Sequence, residues 1–209
     1  MRRATKTAAA LLGIAAGAAG IEHGIFEILQ GRVRPEGLVI SSIGPPCVPE
    51  EVWNACEPAL TIVPDFLITG ILAVFFGLLV LLWSAFFLSR KASGAVLMGL
   101  SIILLLFGGG FFPPLIGLVA GTAGLSIHRP LPEKEPGAIS RFLSSLWPWT
   151  MVVFLAWVTG QWLLGYYFND WFQGVMIYGV GIILLSLFLS VICAGARDRV
   201  QKLSKEKSI

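Results

Sequence analysis

Residues 94–127 read GAVLMGLSIILLLFGGGFFPPLIGLVAGTAGLSI and contain no charged side chain. As one helix rising about 1.5 Å per residue, this stretch would run to about 50 Å. The hydrocarbon core of a bilayer is only about 30 Å thick. Its middle, Gly108-Gly109-Gly110-Phe111-Phe112-Pro113-Pro114, is also hostile to a helix. Glycine loses the most backbone freedom on being ordered. Proline lacks an N–H, and its ring clashes with the preceding turn. The stretch is therefore expected to form two short helices, about 94–110 and 113–127, joined by a tight turn.

The rest of the chain supplies the context for that hairpin. Of its 209 residues, 56% are hydrophobic and only 13% charged, and mean hydropathy is +0.82. A soluble domain carries about 25% charged residues to clothe its surface. This composition points to an integral membrane protein with lipid as its immediate partner. Further apolar runs long enough to cross a bilayer lie at about 7–29, 66–88, 146–166 and 174–196. Trp147 and Trp149 flank one end of the 146–166 run, and Trp162, Tyr166, Tyr167 and Trp171 the other, as aromatics at a membrane–water boundary do. The expected fold class is all-α: a polytopic transmembrane helical bundle of about six spans, the third and fourth forming the Gly/Pro-broken hairpin.

Charge decides between five spans and six. With six and the N-terminus inside, the inner segments hold Arg2, Arg3, Lys6, Arg90, Lys91, Arg129, Lys134, Arg141, Arg197, Arg199, Lys202, Lys205 and Lys207, and the outer ones only Arg32 and Arg34. With 94–127 as a single span, most basic residues fall outside, against the rule that they stay in the cytoplasm. The six-span reading places the protein in the cell membrane with both termini cytoplasmic, residues 31–65 as an extracytoplasmic loop and 197–209 as a basic cytoplasmic tail. Small residues at Ala15–Ala19 would allow a cleavage site, but the apolar run continues through Leu29, so the first span is expected to be retained.

The outer loop carries Cys47 and Cys56, spaced to close a small disulfide ring in an oxidising compartment. Their spacing is not C-x-x-C, which disfavours a redox pair. Cys193 lies in an apolar run and is expected to be free.

Ionisable groups inside a span are costly and face protein or water. The first span carries Glu22, His23 and Glu27, followed by Gln30. His23, Glu27 and Gln30 share one helical face, and Glu22 lies at its edge. Measured from Lys6, Glu22 stands about 24 Å along the axis and Glu27 about 31 Å, which puts the cluster in the outer leaflet beneath the 31–65 loop. Glu27, four residues after His23, is placed to pair with it. Gln161 adds a polar group in the fifth span. These five residues are the candidate intramembrane site. Gly13, Gly17, Gly20 and Gly24 form a small-residue stripe that admits a neighbouring helix, from another membrane protein or a second copy. Ser186, Ser190 and Cys193 form a narrower stripe expected to be a packing surface.

His23 and His128 fall at opposite membrane faces, so no multi-histidine metal or haem site is expected. No H-E-x-x-H, G-x-S-x-G, Walker A or G-x-G-x-x-G pattern occurs. No catalytic residues and no cofactor are expected, and the weak net charge of +3 does not suit nucleic acid. Three functional readings remain. The leading one is a non-catalytic envelope, partner or assembly protein. The second is a small proton, cation or small-solute transporter or channel using Glu22, His23 and Glu27. The third is an intramembrane enzyme.

Overall fold

The computed structural model describes residues 1–43, 57–133 and 135–206. The chain is 75% helical. In order it runs α1 (Arg3–Gln30), β1 (Val39–Ile43), β2 (Glu57–Leu60), α2 (Phe66–Phe86), α3 (Ser93–Leu106), α4 (Phe112–Ser126), α5 (Ala138–Leu146), α6 (Trp149–Tyr167) and α7 (Asn169–Glu206). Among the described residues four helical stretches are long and apolar enough to cross a membrane: Arg3–Gln30, Phe66–Phe86, Ala138–Tyr167 and Asn169–Leu203. Phe75, Ile102, Val152, Ile177 and Leu185 stand exposed on the bundle exterior, a surface suited to lipid rather than water.

The centre is the antiparallel pair of α1 and α2. A Cβ on Gly17 would sit 2.6 Å from both the Gly77 carbonyl and the Leu81 amide. One on Gly24 would meet the Gly70 carbonyl at 2.6 Å. Two backbones this close leave no room for any side chain between them. Gly13 faces Ser84 of α2, and Gly20 faces Leu104 of α3. The small-residue stripe of α1 thus packs on helices of its own chain. Around it lies an apolar core that includes Leu12, Ala16, Val80, Leu97, Leu104, Ala120, Phe154 and Leu187.

Residues 94–127 fold as an antiparallel helical hairpin. Gly94, at the start of α3, packs on Gly121, Gly124 and Leu125 near the end of α4, and Ser101 packs on Gly117. Each helix is about 20 Å long at the standard rise, short of a full crossing. The missing length is made up by chain from the 31–65 segment. There the Gly108 N–H donates to the Leu60 carbonyl at 2.8 Å, and the Ile62 N–H to the Leu106 carbonyl at 3.0 Å. Buried backbone that leaves a helix must be satisfied by protein, and here β2 and the residues after it do so.

At the opposite end both termini converge. The Arg2 N–H donates to the Ile127 carbonyl at 3.1 Å, and the His128 ring meets the Ser89 carbonyl at 3.1 Å. α1 has no side-chain cap of its own. Instead Asp198, from α7, accepts the N–H groups of Ala4 and Thr5 at 2.9 and 2.8 Å and the Thr5 hydroxyl at 2.7 Å. A carboxylate at a helix N-terminus satisfies orphan donors and complements the helix dipole.

The chain is mostly helical, consistent with an all-α bundle, and adds to it one antiparallel pair, β1 and β2. The tail is not separate from the last span: α7 continues unbroken through Asp198 to Glu206, since nothing between Ala196 and Lys205 stops a helix and Asp198 is docked. A short amphipathic helix, α5, precedes the fifth span, and Trp147–Pro148 separates it from α6. Cys47, Cys56 and their expected bridge fall outside the described residues. Ser186, Ser190 and Cys193 are buried, and the two serine hydroxyls donate back to carbonyls of their own helix, as a packing stripe would.

Two measurements test this packing. Gly17→Val or Gly24→Val forces a side chain against backbone, so each should destabilise the purified protein by at least about 1–3 kcal/mol, seen as a lower melting temperature. Gly181→Ala, where a Cβ meets nothing within 4 Å, should leave that temperature unchanged or raise it. Asp198→Ala should cost about 1–2 kcal/mol as a lost N-cap, with Asp198→Asn intermediate because one acceptor oxygen survives.

Candidate functional site

The polar face of α1 ends at the terminus-distal end of the bundle, directly beneath the β-pair and the glycine turn. Ser42 sits at an irregularity in the ladder: Ser41 pairs with Pro58 and Ile43 with Glu57, leaving Ser42 unpaired. A bulge of this kind re-aims a side chain, and the Ser42 hydroxyl meets His23 Nδ1 at 2.7 Å. The same hydroxyl donates to the Glu57 carbonyl at 3.1 Å. Having one proton to give, Ser42 receives from the ring, so His23 carries a proton on Nδ1. Nε2 then faces Glu57 Oε1 at 3.4 Å, long for a hydrogen bond and a distance at which a doubly protonated ring would attract the carboxylate. Gln30 secures the arrangement by donating from Nε2 to the Ser41 and Ser42 carbonyls at 3.2 and 3.0 Å.

His23 is 2% exposed and Glu27 0%, so both turn inward, away from lipid. They do not pair with each other. Two glycines of the turn that splits α3 from α4 lie over them. Gly110, at φ 76°, packs on the imidazole, where a Cβ would stand 2.5 Å from Nε2. Gly108, at φ 85°, packs on the Glu27 carboxyl group. Both positions exclude a side chain twice over, by left-handed backbone and by lack of space. His23 is drawn to the β-pair while Glu27 points between α2 and the turn. Neither oxygen of Glu27 finds a hydrogen-bond partner of good geometry among the described residues. The neighbouring Thr69 hydroxyl is bonded to Thr61 at 2.6 Å.

A cavity of about 380 Å³ opens beside this layer, between α1, α4, α6 and α7. Glu22 and His23 of α1 line it, with Glu57 overhead, Gln161 on α6 and Gln173 on α7. Trp157, Trp162 and Phe172 supply aromatic walls, and Phe112 and Ile116 close the α4 side. Its volume falls within the range of small-molecule sites, as does its mixture of apolar walls and a few polar groups. Trp157 Nε1 is buried without an acceptor among the described residues. The site can hold, orient and charge-match a small molecule. Ser42 and His23 bring a hydroxyl and an imidazole together above it, but the serine proton is directed to the Glu57 carbonyl and not to the ring.

Of the five candidate residues, Glu22, His23 and Gln161 share this cavity. Gln30 braces its roof, and Glu27 lies outside it. Sequence reasoning missed Ser42, Glu57 and the covering role of Gly108 and Gly110. The glycine triplet was visible, but nothing in a sequence says what a turn will cover. Glu57→Gln should remove the charge facing His23 and lower thermal stability by about 1 kcal/mol, since a part-exposed ion pair is worth little more. Ser42→Ala should cost more, about 1–3 kcal/mol, by leaving the buried Nδ1–H unsatisfied.

No family model, no curated protein and no solved structure matches this chain.

Proposed function

We propose that this is a non-catalytic multi-pass membrane protein that binds a small molecule in the cavity between α1, α4, α6 and α7. The observation that carries this reading is the cavity itself, in which aromatic walls converge with Glu22, His23 and Gln161. The chain would cross the membrane six times, with both termini cytoplasmic and the cavity toward the outer face. The helical hairpin leaves by the face it enters, whether α3 and α4 cross fully or turn within the bilayer, so the basic-residue distribution is the same in either case. The pairing of Ile43 with Glu57 brings together the two ends of the segment holding Cys47 and Cys56, which supports a bridge between them.

One observation favours the second reading, a proton or cation carrier: Glu27 is fully buried, and among the described residues neither carboxyl oxygen has a hydrogen-bond partner of good geometry. A charge in that position has to be met by a proton, a cation or water. The cavity is nevertheless walled by other residues, and one end of one span carries most of the polar groups, where a transporter site would draw on several spans near the midplane.

For topology, a reporter active only outside the cytoplasm should give signal when fused after Glu36 and none after Lys91 or Lys202. Signal at Lys202 would sink the orientation. Cys47 and Cys56 should resist alkylation until reductant is added. For function, neopentylbenzene, a neutral probe small enough for the cavity, should raise the melting temperature of the purified protein. Ile183→Trp, which fills the cavity, should abolish that shift, and Glu27→Gln should leave it intact. A proton or cation flux in liposomes that Glu27→Gln eliminates would instead establish the carrier.

A further inference from the structure

Resting on that reading, we infer that the ligand is an organic cation with an apolar body, its ammonium group held between Glu22 and Glu57 and its body against Trp157, Trp162 and Phe172. The argument begins with charge. The cavity is lined by two carboxylates and one imidazole, and by no lysine or arginine. Glu22 and Glu57 both line the cavity, and of the two carboxyl groups it is Glu57 that His23 approaches, at 3.4 Å. Among the described residues the sole ion pair at the site is that one, so the Glu22 carboxylate has no protein cation opposite it.

The walls point the same way. Indole is the best aromatic partner for a cation, and a desolvated contact of this kind is stronger than an exposed one. Trp157 and Trp162 are one turn and a little more apart on α6, Phe172 faces them from α7, and Trp157 and Phe172 already pack with ring centroids 5.9 Å apart. Aromatic faces beside a carboxyl group with no protein cation opposite it are arranged to take a soft, weakly hydrated cation. A small metal ion would need more oxygen ligands than this cavity converges.

An ammonium group could come from a free amine or from a choline lipid headgroup. A headgroup brings a phosphate as well, and the cavity lining holds no lysine or arginine to receive it. The same argument excludes anions.

The test compares benzyltrimethylammonium with neopentylbenzene, which has the same shape without the charge, on the full-length protein in nanodiscs. The cation should bind at least tenfold more tightly. That preference should fall toward unity in Glu22→Gln while neopentylbenzene binding is retained. Glu57→Gln provides a second variant should the first fail to fold, and it should lower the preference in the same direction. Equal affinity for the two probes would overturn the cationic ligand while leaving a small-molecule site in place. Absence of binding by either probe to folded protein would overturn both. Nanodiscs of phosphatidylcholine and micelles of an uncharged maltoside detergent should give the same affinity for a free cation; loss of binding only in phosphatidylcholine would assign the site to the lipid headgroup and overturn the free ligand.

Discussion

Buried backbone amides that leave a helix must find partners inside the protein, and the polar end of this molecule is organised around that constraint. The break at Gly108–Pro114 frees backbone groups between α3 and α4. The chain answers by laying residues 60–62 on the turn, through the Gly108 to Leu60 and Ile62 to Leu106 hydrogen bonds. Because β2 is anchored there, β1 beside it is brought over the end of α1, where Ser42 can reach His23 and Gln30 can reach the β1 carbonyls. The turn that shortens the hairpin is therefore also what places the roof of the cavity.

The same device settles the fate of the ionisable groups on α1. A histidine and a glutamate four residues apart could have paired along the helix. Instead Gly110 covers one and Gly108 the other, and only the first has partners on the β-pair. His23 is thereby a structural link between α1 and the cavity roof, and Glu57 is shared between that link and the cavity. Glu22, at the edge of the face, is left to look into open space among aromatics. Its exposure to the cavity follows from the tight α1–α2 contact. Glycines at 17 and 24 rotate that face of α1 toward α2 and leave the Glu22 side toward α6 and α7.

At the far end, Asp198 makes α7 responsible for capping α1. Helices that begin with orphan N–H groups normally find a cap in the adjacent chain. Here the cap comes from nearly the other end of the sequence, and it holds α1 and α7 together at their inner ends. With that closure fixed, the space between them at the opposite end is where the cavity forms.

Much of this was legible in the sequence because it rests on local rules. Composition and run length identified apolar membrane helices, glycine and proline broke 94–127, and the cost of ionisable groups in a span singled out Glu22, His23 and Glu27. Those effects depend on residues a few positions apart and on the solvent around them. What tertiary structure alone decided is which side of each polar group meets which neighbour. Ser42 becomes a partner only because a bulge turns it. The small-residue stripe of α1 is filled from within only because α2 carries Gly70 and Gly77 in register. Gln161 belongs with Glu22 only because α6 leans across the gap. Contacts between residues far apart in sequence depend on how close two backbones can come, and helical periodicity along one segment carries no record of that distance.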